Sequence, residues 1–197
     1  MRRRGGFTLV EILVVVIIIT VLAGGSIMLV NNLFRGQGVR QGGLLVIQAV
    51  AQAKQMTAAT RRMHFLVFSP ASQEGWMEIH EDTNGDSLYQ GDQDPKSQDP
   101  DKMVAGLRVD LPQFVVFDLA PAWVGFQPSG YMTLFNSSGG IHPEIQASAF
   151  DMIMNGSDPS PIGDVVLGMQ SRTYKMCMDL DRASGKVRRH FFLAKEK

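Results

Sequence analysis

Two hydrophobic patterns divide the chain. Residues 5–19, GGFTLVEILVVVIII, form an almost unbroken apolar run holding one carboxylate, Glu11, and no charged residue occurs from Ile12 to Val30. A helix needs roughly 20 apolar residues to cross a bilayer core of about 30 Å, so residues 7–30 are predicted to be a transmembrane helix. The helix is expected to continue through residues 31–62, with a glycine-rich weak point in NNLFRGQGVRQGG, where Gly36, Gly38, Gly42 and Gly43 each cost up to about 1 kcal/mol relative to alanine. Beyond it, LLVIQAVAQAKQMTAATRR reads as amphipathic. Leu44, Ile47, Ala51 and Ala58 fall near one face, and Gln48, Gln52, Gln55 and Arg62 near the other.

From Met63 the period changes from helical to alternating. HFLVF (64–68), WMEIH (76–80), QFVVFD (113–118), YMTLF (131–135), DVVLGM (164–169), TYKMCMDL (173–180) and KVRRHFFL (186–193) are rich in branched and aromatic residues and are separated by Pro, Gly, Ser and Asp clusters. Residues 63–197 are therefore expected to form one β-rich globular domain, and the fold class is α+β. In the 173–180 strand, Lys175, Cys177 and Asp179 share a face opposite Tyr174, Met176, Met178 and Leu180.

Glu11 bears on what the apolar segment does. A carboxylate in a membrane segment costs several kcal/mol unless it is partnered, so it points to function. A cleaved signal peptide ending near Ala23 is the rival reading, which Glu11 disfavours, and the leader is too short for a twin-arginine signal. Arg2, Arg3 and Arg4 place the N-terminus in the cytoplasm by the positive-inside rule and send the domain outward. If the chain is cut after Gly6, the new amino group on Phe7 lies four residues before Glu11 and can neutralise it within a helix or between neighbouring chains.

Gly6-Phe7-Thr8-Leu9-Val10-Glu11 resembles the processing motif of type IV pilins and type II secretion pseudopilins. The resemblance implies that 1–6 is a prepilin leader, that a prepilin peptidase cuts between Gly6 and Phe7 and methylates the new amine, and that Glu11 neutralises that amine during filament assembly. It also implies a pilin-like fold, with the long N-terminal helix packed on an antiparallel β-sheet. AKQMTAATRR running into MHFLVF, the turn-rich EDTNGDSLYQGDQD, FQPSGYM and the closing SGKVRR are similar to minor pseudopilins of the GspH/FimT type. Residues 145–163 have no counterpart in that resemblance. The implied partners are the peptidase, other pilins or pseudopilins, an inner-membrane assembly platform and membrane lipid. The implied location is the inner membrane, single-pass, with a periplasmic C-terminal domain incorporated in a pilus or pseudopilus.

Composition narrows the classes further. Lys plus Arg and Asp plus Glu each number 19; loss of Arg2, Arg3 and Arg4 with the leader leaves 16 against 19, a net charge of −3. That balance gives no general attraction to nucleic acid. Cys177 is the only cysteine, so the domain holds together without an intrachain disulfide. His64, His80, His142 and His190 are scattered without metal-ligand spacing, and no hydrolase or nucleotide-binding motif occurs. The chain is not expected to be an enzyme.

Two constellations offer binding chemistry. No cofactor is expected, but Asp82, Asn84, Asp86 and Asp92 place oxygen ligands at spacings that suit Ca²⁺. Ser87 and Gln93 stand where an EF-hand loop needs Gly and Glu, so the competing reading is a solvated hairpin with a turn at Asn84-Gly85. At the C-terminus, Lys186 and Arg188 alternate with His190 on one strand face, and Gly185-Lys186-Val187-Arg188 resembles the Gly-Arg-x-Arg motif of DNA-capturing pilins, with Lys for the first Arg. The competing reading is an edge strand whose charges discourage pairing with other sheets. Nucleic acid is not expected as a partner.

Overall fold

The computed structural model describes residues 9–70, 74–90, 101–142, 163–169 and 174–193, without the side chains of 25–35, 102–103, 105–106, 174 and 192–193. Gly6, Phe7, Asp92 and nearly all of 145–163 lie outside the described residues. Two compact units are present, 1–37 and 38–197. One helix, α1 (Leu9–Thr60), supplies residues to both.

In the first unit every large apolar side chain from Leu9 to Leu22 is exposed, between 47% and 82%. Twelve consecutive or near-consecutive apolar positions leave the helix no polar face, and its one hydroxyl here, Thr20, donates back to the Ile17 carbonyl at 2.8 Å. Among the described residues no helix is long and apolar enough to cross a membrane; of the predicted segment, residues 7 and 8 and the side chains of 25–30 lie outside the description.

In the second unit α1 continues through Gly38, Gly42 and Gly43 without a break. Its buried face consists of Val39, Gly42, Gly43, Val46, Ala49, Val50, Ala53 and Thr57, spaced at three and four. The amphipathic face expected from sequence is displaced: Leu44, Ala51 and Ala58 are exposed and Ile47 is half-buried. The reason is steric. A Cβ on Gly43 would collide with Met176 Sδ, and one on Gly42 would stand 3.2 Å from Val115 Cγ1. Small residues let the strands approach the helix axis, so the glycines act here as packing surface.

Among the described residues nine strands follow: β1 (His64–Phe68), β2 (Trp76–Glu81), β3 (Lys102–Asp110), β4 (Val115–Leu119), β5 (Trp123–Phe126), β6 (Met132–Phe135), β7 (Val165–Met169), β8 (Tyr174–Leu180) and β9 (Val187–Leu193). All pairs are antiparallel. They make two sheets rather than the single one expected, ordered β3-β2-β1-β5-β6 and β4-β7-β8-β9. β3 and β5 were not anticipated from the sequence.

One core joins the domain part of α1 to both sheets. It contains Val46, Val50 and Ala53 of the helix, Leu66, Ile79, Val124 and Leu134 of the first sheet, and Phe117, Leu167, Met176 and Met178 of the second. β1 is buried along its whole length because its other face is covered as well. There Met63, Phe65 and Val67 pack beneath Trp76, Tyr89 and Trp123. Tyr89 lies 5.7 Å from the Phe65 ring and 5.4 Å from Trp123, so a loop residue closes the back of the sheet.

Candidate functional site

Glu11 sits in the first turn of α1, exposed, in a stretch whose other large side chains are aliphatic. A new amino group on Phe7 would stand four residues ahead of it in the sequence. The segment thus presents an apolar surface with a single ionisable position, an arrangement suited to packing against other apolar helices with one charge pair as registration point.

The acidic loop is organised by its own backbone. Asp82, only 4% exposed, accepts from the Gly85 N–H at 2.6 Å and the Ser87 N–H at 3.1 Å, one on each carboxylate oxygen. Asp86 accepts from the Leu88 N–H at 2.8 Å and from the Asn84 amide at 3.0 Å. Asp101 closes the loop by accepting from the Gln90 N–H at 2.8 Å. Burial raises the Asp101 pKa, opposed by the amides of Gln90 and Thr83 and reinforced by the charges of Asp82 and Asp86. Gly85 takes φ 75°, in the turn expected at Asn84-Gly85. Of the proposed Ca²⁺ ligands the structure brings Asp82, Asn84 and Asp86 together, each engaged within the loop. Among the described residues no group of three His, Cys, Asp or Glu side chains could hold a metal.

Arg188 and His190 share a face of β9, with Lys186 just before the strand begins, but Arg188 is committed. Its Nε and Nη2 both donate to Asp179 Oδ2, at 2.8 and 2.6 Å, across the β8–β9 pair. Gly185 has a different task from phosphate contact. It adopts φ 65° in the tight turn closed by its N–H to the Asp181 carbonyl, and a Cβ there would collide with Lys54 of α1, which donates to the Ser184 carbonyl. Lys186 is exposed. Asp181 is held below the usual carboxylate range by hydrogen bonds from Ser184 and Ala183. Cys177, expected on the more polar face, does share it with Lys175 and Asp179, yet it is fully buried against Val166.

Sequence reasoning missed two charged features. Asp164 is 2% exposed; its Oδ2 accepts from the Leu180 N–H at 2.8 Å, and its Oδ1 has no hydrogen-bond partner. Burial pushes its pKa up to about 6, with the charge of Asp179 adding to the rise and Arg182 and His142 opposing it. Arg40, on α1, lies over the Phe191 ring with its guanidinium carbon 4.5 Å from the centroid, and with Leu44, Met176 and Arg189 it lines a cleft of about 360 Å³. Neither feature has a local signature, since each depends on strands distant in sequence.

No curated protein and no solved structure matches the chain. Residues 1–27 match the family model described as the prokaryotic N-terminal methylation motif, which spans the leader, Phe7, Glu11 and most of the apolar run. That match supports a type IV pilin-like precursor, of the kind that a prepilin peptidase processes and that assembles with other pilins into a pilus or pseudopilus.

Proposed function

We propose that the chain is a minor pseudopilin of the GspH/FimT type, a structural subunit of a type II secretion pseudopilus or a type IV pilus. Its work is assembly rather than catalysis, and it needs no cofactor. The prepilin peptidase cuts after Gly6, the mature chain waits in the inner membrane with its N-terminus cytoplasmic and its domain periplasmic, and Phe7 and Glu11 of adjacent subunits neutralise each other as the filament grows. The observation that carries this reading is the methylation motif over residues 1–27, continued by a helix whose apolar side chains are exposed from Leu9 to Leu22 around Glu11.

Removing the acid separates anchoring from assembly. Glu11→Val is expected to insert into the membrane at least as well as the natural chain, because the cost of burying a carboxylate is gone. It is expected not to enter filaments, as read by immunoblotting sheared pili or by crosslinking to neighbouring pilins in cells. Normal incorporation of the variant would remove Glu11 from the assembly mechanism. The pairing of Arg188 with Asp179 supports leaving DNA capture as the second reading, with Lys186 and Arg188 as its residues.

A further inference from the structure

We infer that the end of the globular domain where residue 38 enters is a docking face for an anionic bilayer surface, built from Phe114 on one side of α1 and from Arg40 and Arg189 on the other. The inference rests on the membrane-anchor reading above.

The first observation is backbone strain at an exposed aromatic. Phe114 has φ 70° and is 58% exposed. A bulky residue in the left-handed region costs on the order of 1 kcal/mol or more, and glycine or asparagine would occupy the position more cheaply. The ring gains little from the domain in return. It sits in the turn closed by the Val115 N–H donating to the Pro112 carbonyl at 3.0 Å, and that turn packs on the helix at its domain entry: a Cβ on Gly38 would lie 3.5 Å from Val115 Cγ2 and 4.0 Å from Pro112 Cβ. Phe114 therefore projects from the Gly38 end.

The second observation is the cleft at the same level of the helix. Arg40 lies two residues beyond Gly38, about 200° around the helix. Both Arg40 and Arg189 are exposed, and neither has an ion-pair partner among the described residues. They flank Leu44, 47% exposed, and Phe191. Two cations beside apolar side chains suit a phosphate headgroup above acyl chains. On the Phe114 side the neighbouring acids are Glu74 and Asp110, the latter paired with Arg108 at 3.0 Å, so the cationic contact comes from the cleft side.

Chain length supplies the occupant. Only residues 31–37 separate the predicted membrane segment, ending at Val30, from Gly38, so the Gly38 end is tethered within about 30 Å of that segment in any arrangement. The domain's own charge distribution agrees. The acidic loop of Asp82, Asp86 and Asp101 lies by the other end of the helix, where the Asp82 N–H donates to the Met63 carbonyl at 3.0 Å and Glu81 pairs with Arg62. That end is roughly 33 Å along α1 from Gly38. An anionic bilayer at the Gly38 end meets the arginines of the cleft side and stays away from the acidic loop of Asp82, Asp86 and Asp101.

The test uses the full chain reconstituted in vesicles of phosphatidylcholine with or without phosphatidylglycerol, carrying a headgroup-spin-labelled lipid. A fluorophore is attached at Gln113→Cys beside Phe114, or at Ser129→Cys near the acidic end; Cys177, fully buried, stays unlabelled. Quenching at 113 is expected to exceed that at 129 and to grow with phosphatidylglycerol. Arg40→Gln with Arg189→Gln should lower the ratio of docked to undocked domain in the anionic vesicles by roughly thirtyfold, and Phe114→Ser should lower it in both lipids. Equal quenching at the two positions, or indifference to lipid charge and to all three substitutions, would overturn the docking face while leaving the anchor intact. A chain that fails to float with vesicles of either kind would overturn the anchor reading and the docking face with it.

Discussion

Replacing Asp164 by asparagine is expected to stabilise the domain at neutral pH and to do nothing useful in acid. The carboxylate is 2% exposed and, among the described residues, receives one hydrogen bond, from the Leu180 N–H at 2.8 Å, and leaves Oδ1 without a partner. Burial, with Asp179 adding to it, raises its pKa from 3.8 to about 6. Such a rise corresponds to about 3 kcal/mol, since one pH unit is worth about 1.4 kcal/mol. The folded pKa lies above the unfolded one, so the contribution to stability is fully present below about pH 3.8 and is lost as the pH rises through about 6. Asparagine keeps an acceptor for the Leu180 N–H and cannot ionise. Its amide nitrogen, replacing the orphan oxygen, brings back a cost of about 1–2 kcal/mol. Asp164→Asn should therefore exceed the natural domain by about 1–2 kcal/mol at pH 7.5, and the gap should close or reverse by about pH 4.5. Urea denaturation of residues 38–197, followed by Trp76 and Trp123 fluorescence at several pH values, measures both. A constant difference across that range would refute the argument that the buried charge is what matters.

Three further substitutions probe the packing and the β8–β9 ion pair, with Lys186→Ala as the control. Phe117→Ala removes a fully buried ring that meets Phe68 edge-on at 5.3 Å, and should cost about 3–5 kcal/mol in urea denaturation; a loss below about 1 kcal/mol would mean that the two sheets do not share this core. Arg188→Ala strands Asp179, 7% exposed, and should lower stability by about 1–3 kcal/mol, while Lys186→Ala, at an exposed position, leaves stability unchanged. In gel retardation at about 150 mM salt, residues 38–197 should not retain DNA, and specific retention abolished by the double substitution would promote the DNA-capture reading.

The N-terminal methylation motif was legible because it depends on local sequence: an apolar run with one charge, Glu11, inside it. Strands such as Trp76–Glu81 and Met132–Phe135 showed in their alternation and in the turn residues around them. β5, WVGF, is four residues long and bracketed by Pro121 and Pro128, and β3 begins directly after the charge-rich 90–101 stretch, so neither carries a clear period. The helix face was misjudged for a different reason. Gly42, Gly43, Ala49 and Ala53 contribute little hydropathy, and their burial follows from the fit of Met176 and Val115 against them. Cys177 was correctly grouped with Lys175 and Asp179, but alternation alone does not tell whether a face is covered. Asp164 and the Arg40 cleft were invisible because each needs a partner from another strand: the Leu180 amide for one, Phe191 and Arg189 for the other.

The central claim is that this chain is a prepilin, and its mature N-terminus tests that most directly. Intact-mass and N-terminal peptide mass spectrometry of the protein isolated from membranes should find the chain beginning at Phe7 with one added methyl group on its amine. An uncut N-terminus in cells with an active prepilin peptidase, or a mature start near Ala23, would contradict the account.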